Sequence, residues 1–189
     1  MKKTLLFLLI ILTSTSVEAQ FIKQKSINAI LGYGLSVPYN SINEIAGTGL
    51  FIQGELVLKV ASWFELRPYT GFISTTSKRT DINNNPTYEK AESKAVLLGG
   101  KARVRAPIPW VAPYFEIGLG TSIGKFETIT AFDTIDKSGI IYHTPLAFGL
   151  ELGKQNNVDV GFTYFFQPSV QQFVGAFAIG ITFPLNNKV

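Results

Sequence analysis

The stretch LAFGLELGKQNNVDVGFTYFF, residues 146–166, decides the fold. Leu146, Phe148, Leu150 and Leu152 alternate with Ala147, Gly149, Glu151 and Gly153. After a short polar break, Val158, Val160, Phe162, Tyr164 and Phe166 alternate with Asp159, Gly161, Thr163, Phe165 and Gln167. Period two marks strands with one apolar face. The opposite face is small or charged, not merely polar. A hairpin in the wall of a small transmembrane barrel, with lipid on one side and a filled lumen on the other, fits that combination.

The same rhythm extends through the chain. Strands are expected at 26–37, 50–60, 64–74, 95–105, 113–123, 146–153, 158–166 and 175–183. Pro68 falls inside the third, and a closed barrel has no edge to hide its missing donor, so a bulge is expected there. The count is even, and the breaks alternate between long and short. Outer-membrane barrels have short periplasmic turns and longer external loops. That places both termini on the periplasmic side and loops near 38–49, 75–92, 125–139 and 167–173 outside. Trp63 and Trp110 fall in short turns, at the periplasmic interface where amphipathic rings are favoured. The expected fold class is all-β: an eight-stranded antiparallel up-and-down transmembrane β-barrel.

Registers chosen to make one face apolar prove little by apolarity alone, and the charges give a fairer test. Glu55 and Lys59 share a parity, as do Glu65 and Arg67, and Lys101, Arg103 and Arg105. With Glu116, Glu151 and Asp159, the inner face carries five acids and five bases, and the apolar face carries none. A soluble lipocalin-like barrel reverses this arrangement. In lipid it is the favourable one, since a Lys or Arg facing the bilayer midplane costs about 2–4 kcal/mol. The lumen of eight strands is just wide enough for side chains to fill. Ten inward glycines, at 32, 34, 71, 99, 118, 120, 149, 153, 161 and 180, leave room for the long charged chains. The expectation is a lumen of paired charges with a few waters, not an open pore.

The N-terminus reads MKKTLLFLLIILTSTSVEAQ. Lys2 and Lys3, an apolar block from Leu5 to Leu12, and small or apolar residues at Val17 and Ala19 make a cleavable signal peptide, residues 1–19. The apolar block is too short for the roughly 20 residues of a spanning helix. The domain is then 20–189, with localisation in the outer membrane after export. Absence of cysteine excludes disulfides, thiolate metal sites and lipoprotein processing. The leader carries Lys2, Lys3 and Glu18, so the formal charge of +4 falls to +3 on cleavage, too mild and dispersed for nucleic acid.

The signal peptide, the eight alternating strands and the ion-paired lumen resemble the small outer-membrane β-barrel family that includes the OmpA transmembrane domain and OmpX. The Ala19-Gln20 junction and the closing GITFPL, residues 180–185, are most similar to porin-family barrels of Bacteroidetes. The resemblance implies a monomer inserted by the barrel-assembly machinery among outer-membrane lipids, with lipopolysaccharide as a candidate partner. Such barrels end on an aromatic residue, whereas Phe183 here is followed by six further residues, 184–189.

No motif specifies an activity, and no cofactor or metal is expected. His143, the sole histidine, reads as an interface or loop residue, because Pro145 stands where related lipid A deacylases carry a serine. Asp81, Asn83, Asn85 and Glu92 approach a calcium-loop spacing, but Pro86 occupies the position that needs glycine. Glu127, Asp133 and Asp136 read as a solvated loop. Lys78, Arg79, Lys90 and Lys94 are candidates for lipopolysaccharide phosphates. GLGTSIGK, residues 118–125, is a strand pattern rather than a phosphate loop. The functional expectation is a non-enzymatic barrel with external loops for surface interaction or envelope integrity. The alternatives are a narrow porin-like channel and, third, a lipid-modifying enzyme.

Overall fold

The computed structural model describes residues 21–39, 45–77, 89–130 and 134–185. The leader, Lys78, Arg79, the run from Asp81 to Pro86, Asp133 and the residues after Leu185 lie outside them. Eight strands follow in order: β1 (Gln24–Pro38), β2 (Gly47–Lys59), β3 (Phe64–Thr76), β4 (Lys90–Arg105), β5 (Trp110–Ile129), β6 (Thr134–Gly153), β7 (Val158–Phe166) and β8 (Gln172–Pro184). Each pairs antiparallel with the next, and β8 returns to β1, so the sheet closes.

The register fixes the geometry of closure. Stepping from partner to partner, Lys25 leads to Leu58, Leu66, Ala102, Ile117, Leu146, Tyr164, Gly175 and back to Leu35. The circuit lands ten residues along β1, between Lys25 and Leu35, which is the shear of the barrel. Ten residues at ~3.3 Å against eight strand spacings of ~4.8 Å tilt the strands by about 40°. A thirteen-residue strand such as β2 then rises about 33 Å, enough to cross an apolar band of about 25 Å.

Two prolines interrupt the ladder without shifting it. Pro68 leaves a gap in β2–β3 pairing between Glu55↔Tyr69 and Leu58↔Leu66, yet both pairs keep one register. The expected bulge is therefore absent: two backbone pairs are lost and no residue is inserted. Pro145 makes the same kind of gap between β5 and β6, from Ile117↔Leu146 to Gly120↔His143.

The third loop is also corrected. Pairing of β5 with β6 continues to Ile129↔Thr134, so Glu127 and Asp136 sit on strands as direct partners. Alternation at Ile123, Lys125 and Glu127 has the period of a strand but the polarity of a loop, because this part of the hairpin rises past the apolar belt. Beyond Thr144↔Phe166, β6 has no partner in β7.

The outer wall is apolar all round: Leu31, Ile52, Leu66, Leu98, Leu119, Phe148, Val160 and Ile179 are all exposed. The inner wall holds layers. At the end with the turns 60–63, 106–109 and 154–157 lies a charged layer. Farther along, an apolar layer of Phe51, Ile73, Leu97, Phe126, Phe165 and Val174 is buried. Above it, Ser36, Ser93, Gln172 and Thr128 join in side-chain hydrogen bonds.

Candidate functional site

The charged layer sits near the turn end because its residues come from the starts of β3, β5 and β7 and the ends of β2, β4 and β6. Arg67 donates to Glu55 at 2.9 Å and to Glu65 at 2.7 Å. Lys101 bridges Glu55 at 2.5 Å and Glu116 at 2.6 Å. Arg103 reaches Glu116 at 2.6 Å, Glu151 at 2.7 Å and Asp159 at 2.6 Å. Arg105 contacts Glu151 at 2.8 Å, and Asn28 donates to Asp159 at 2.6 Å. Eight of these charged side chains are buried outright and Arg105 nearly so. Lys59 stands apart, half-buried at the mouth, with no ion pair to a described residue.

Desolvated ions persist only in such a mutually hydrogen-bonded array, where every charge has several opposite neighbours. The space left at the mouth is about 60 Å³, lined by Ser26, Lys59, Glu65, Arg105 and Asn156. Arg105 Nε and Asn156 Oδ1 have no protein partner, which suits the space to a few waters.

The inward glycines serve tyrosines more than ions. A methyl on Gly149 or Gly161 would strike the Tyr114 hydroxyl, and one on Gly99 or Gly120 the Tyr69 hydroxyl. Tyr114 in turn lies under Arg103, whose guanidinium carbon is 3.6 Å from the ring centre. Gly118 alone of these borders a charged chain, that of Lys101.

His143 is a correction. It is neither at an interface nor in a loop: it points into the lumen and is 3% exposed. Its Nε2 meets the Tyr69 hydroxyl at 2.5 Å and its Nδ1 the Ser122 hydroxyl at 2.7 Å. Gln167 donates to the same Ser122 oxygen at 2.7 Å, and Phe165 meets the imidazole edge-on. Parity could have revealed this, since His143 shares the inner register of Ala147 and Glu151. The partners could not be read, because Tyr69 is 74 residues away and the pairing depends on the shear. A serine–histidine pair thus exists, but Ser122 is fully buried and its oxygen is already engaged by Gln167. Nucleophilic chemistry requires a reachable oxygen beside a space for substrate.

Trp63 and Trp110 both lie exposed at the turn end, Trp63 against Phe64 and Trp110 as the first residue of β5, with positive φ. Among the described residues, no cluster of metal-ligating side chains occurs.

This geometry has relatives among solved structures. Neisserial surface protein A (NspA) superposes with a TM-score of 0.58 at 11% identity, covering 84% of this chain and 96% of that one. The fold is that of the small eight-stranded outer-membrane barrels. OprG from Pseudomonas aeruginosa is similar too, with a TM-score of 0.51, 10% identity, and coverage of 87% here and 98% there. No protein-family model and no curated protein sequence matches the chain. At such identities the likeness speaks for the fold and leaves the role to the residues.

Proposed function

We propose that the protein is an integral outer-membrane barrel, closed to solutes, that works through its loop end in surface interaction or envelope integrity. One observation carries this reading: the wall is inverted, apolar outside and ionic inside, while the lumen is shut twice. The charged layer blocks one half, and Phe51, Leu97, Phe126 and Phe165 block the other. Water-filled porin channels belong to barrels of about 16 strands or more. The engaged, buried Ser122 likewise favours a non-enzymatic role.

On this reading the chain is exported by its leader, inserted by the barrel-assembly machinery as a monomer, and surrounded by outer-membrane lipids. Lipopolysaccharide is the natural neighbour of its loop-end lysines. The test is fractionation, followed by gel migration in SDS with and without boiling, and then planar-bilayer recording. Outer-membrane recovery, a heat-dependent shift and no conductance steps are expected. A soluble periplasmic product without that shift would overturn the membrane reading. Steady conductance would overturn closure alone.

A further inference from the structure

Both proline gaps fall on the same two rows of the barrel wall. The lost β2–β3 pairs are Leu56 with Pro68 and Val57 with Arg67. The lost β5–β6 pairs are Leu119 with Thr144 and Gly118 with Pro145. Between the gaps the rows are unbroken: Pro68 pairs with Gly100 and Gly100 with Leu119, while Arg67 pairs with Lys101 and Lys101 with Gly118. At this level β3, β4 and β5 form a panel that is laddered internally but to neither flank. Its outer surface carries two hollows. One, of about 410 Å³, is lined by Pro68, Gly100 and Gly118 together with the lumen residues Arg67 and Lys101. The other, of about 600 Å³, reaches His143 beside Gly99 and Gly120. The four glycines leave the wall thin enough for lumen groups to line its outside.

The adjoining row toward the loop end compensates for the gaps. Tyr69, Gly99, Gly120 and His143 are successive cross-strand neighbours on it, all facing the lumen. The two outer side chains lean over the two glycines and meet, the Tyr69 hydroxyl lying 2.5 Å from His143 Nε2. A methyl on Gly99 would strike the Tyr69 hydroxyl, and one on Gly120 would strike both partners. This bond therefore runs across the lumen side of the panel, from β3 to β6, without touching β4 or β5. Ser122 of β5 meets the other ring nitrogen at 2.7 Å, and Gln167, just past β7, donates to Ser122. Side chains supply beside the gaps what the backbone lacks within them.

We propose that β3–β5 is a hinged panel of the wall, able to bow outward at the level of Lys101, and that the Tyr69–His143 bond is the strap that holds it closed. Segments with few ladder bonds open at lower cost than their surroundings. Here the bonds are missing on both flanks at one level, and Gly100 and Gly118 give that level the most permissive backbone. Outward movement draws Arg67 and Lys101 of the panel away from Glu55 of β2, which they bind at 2.9 Å and 2.5 Å. The ionic layer thus pulls the panel back and reseals the wall. In the bowed state the ionic layer meets the outer hollow from the side. The apolar layer above it stays in place, so the path along the axis remains shut.

Hydrogen–deuterium exchange of the folded protein in phosphatidylcholine vesicles, resolved to peptides by mass spectrometry, tests this. Tyr69→Phe removes the strap and keeps the ring. Exchange should rise about fivefold in residues 66–70, 98–102 and 117–121, the size of one hydrogen bond, and stay unchanged in β7 and β8. Pro145→Val returns an N–H donor to the β5–β6 gap and should slow exchange in the same segments. Ser36→Ala is the control: it removes lumen bonds to Ser93 and Gln172 at the loop end and should leave the panel unchanged. Faster exchange on all eight strands alike in Tyr69→Phe is ordinary loss of stability and overturns the panel. Unchanged exchange in Tyr69→Phe, or an equal panel response to Ser36→Ala, overturns the strap. Should Tyr69→Phe not fold, Pro145→Val decides alone, and unchanged exchange at 117–121 refutes the hinge.

Discussion

Replacing Arg103 with methionine tests whether the charged layer holds the barrel together. The described network has five acids, Glu55, Glu65, Glu116, Glu151 and Asp159, and four bases, Arg67, Lys101, Arg103 and Arg105. Removing Arg103 deprives three carboxylates at once. Glu116 keeps Lys101 at 2.6 Å and Glu151 keeps Arg105 at 2.8 Å. Asp159 keeps only neutral Asn28 at 2.6 Å and Arg67 at 4.0 Å. The damage therefore concentrates on Asp159, a buried carboxylate without a close cation.

Breaking one partner out of such a buried array costs about 3–5 kcal/mol. With a urea slope of ~2 kcal/mol per molar, the unfolding midpoint should fall by roughly 2 M. Emission from Trp63 and Trp110 at the turn end reports the transition in vesicles. Adding Asp159→Asn to Arg103→Met removes the stranded charge and should recover about 1–2 kcal/mol. An unshifted midpoint in the single variant, or no recovery in the double, would refute the view that paired charges stabilise this lumen.

Other perturbations probe separate parts of the design. Gly161→Ala should destabilise by about 1–3 kcal/mol through collision with the Tyr114 hydroxyl; Tyr114→Phe should relieve part of that loss, while Gly100→Ala, which meets open space, should change the urea midpoint little. Leu119→Arg, at a position 76% exposed on the outer wall, should cost about 2–4 kcal/mol in a bilayer. Equal stability of that variant and wild type in vesicles would mean the wall does not face lipid. Pro68→Val should restore a donor to the β2–β3 gap and raise stability by about 1 kcal/mol, with a lower midpoint counting against the gap as a lost hydrogen bond.

The strands were legible because one face of each had to be apolar and the other could carry charge. Glu151 and Asp159, both assigned by parity to the inner face, do lie there and are direct partners in the opening hairpin. Elsewhere parity lost its contrast. Leu97 and Leu98 are both apolar, yet Leu97 is buried in the lumen and Leu98 faces outward, so the inner apolar layer left no mark in the pattern. Nor did composition separate the outer ends of β5 and β6 from a loop, since Lys125, Glu127 and Asp136 are polar wherever water surrounds them. The ion pairs needed more than parity: Arg103 and Asp159 are 56 residues apart, and only the ten-residue shear brings them within reach.

Closure between β1 and β8 has a kinetic side. The seam joins Ile27 to Phe183 and Val37 to Phe173, contacts that span almost all of the described residues. Loop closure of that span is the slowest kind of contact to form. Until it does, both outer strands present unpaired ladders ready to recruit another chain. The barrel is therefore finished only after its last strand has been synthesised, and deleting β8 would leave two adhesive edges rather than a smaller barrel. A growing chain of this kind keeps an open edge until its full length has been made.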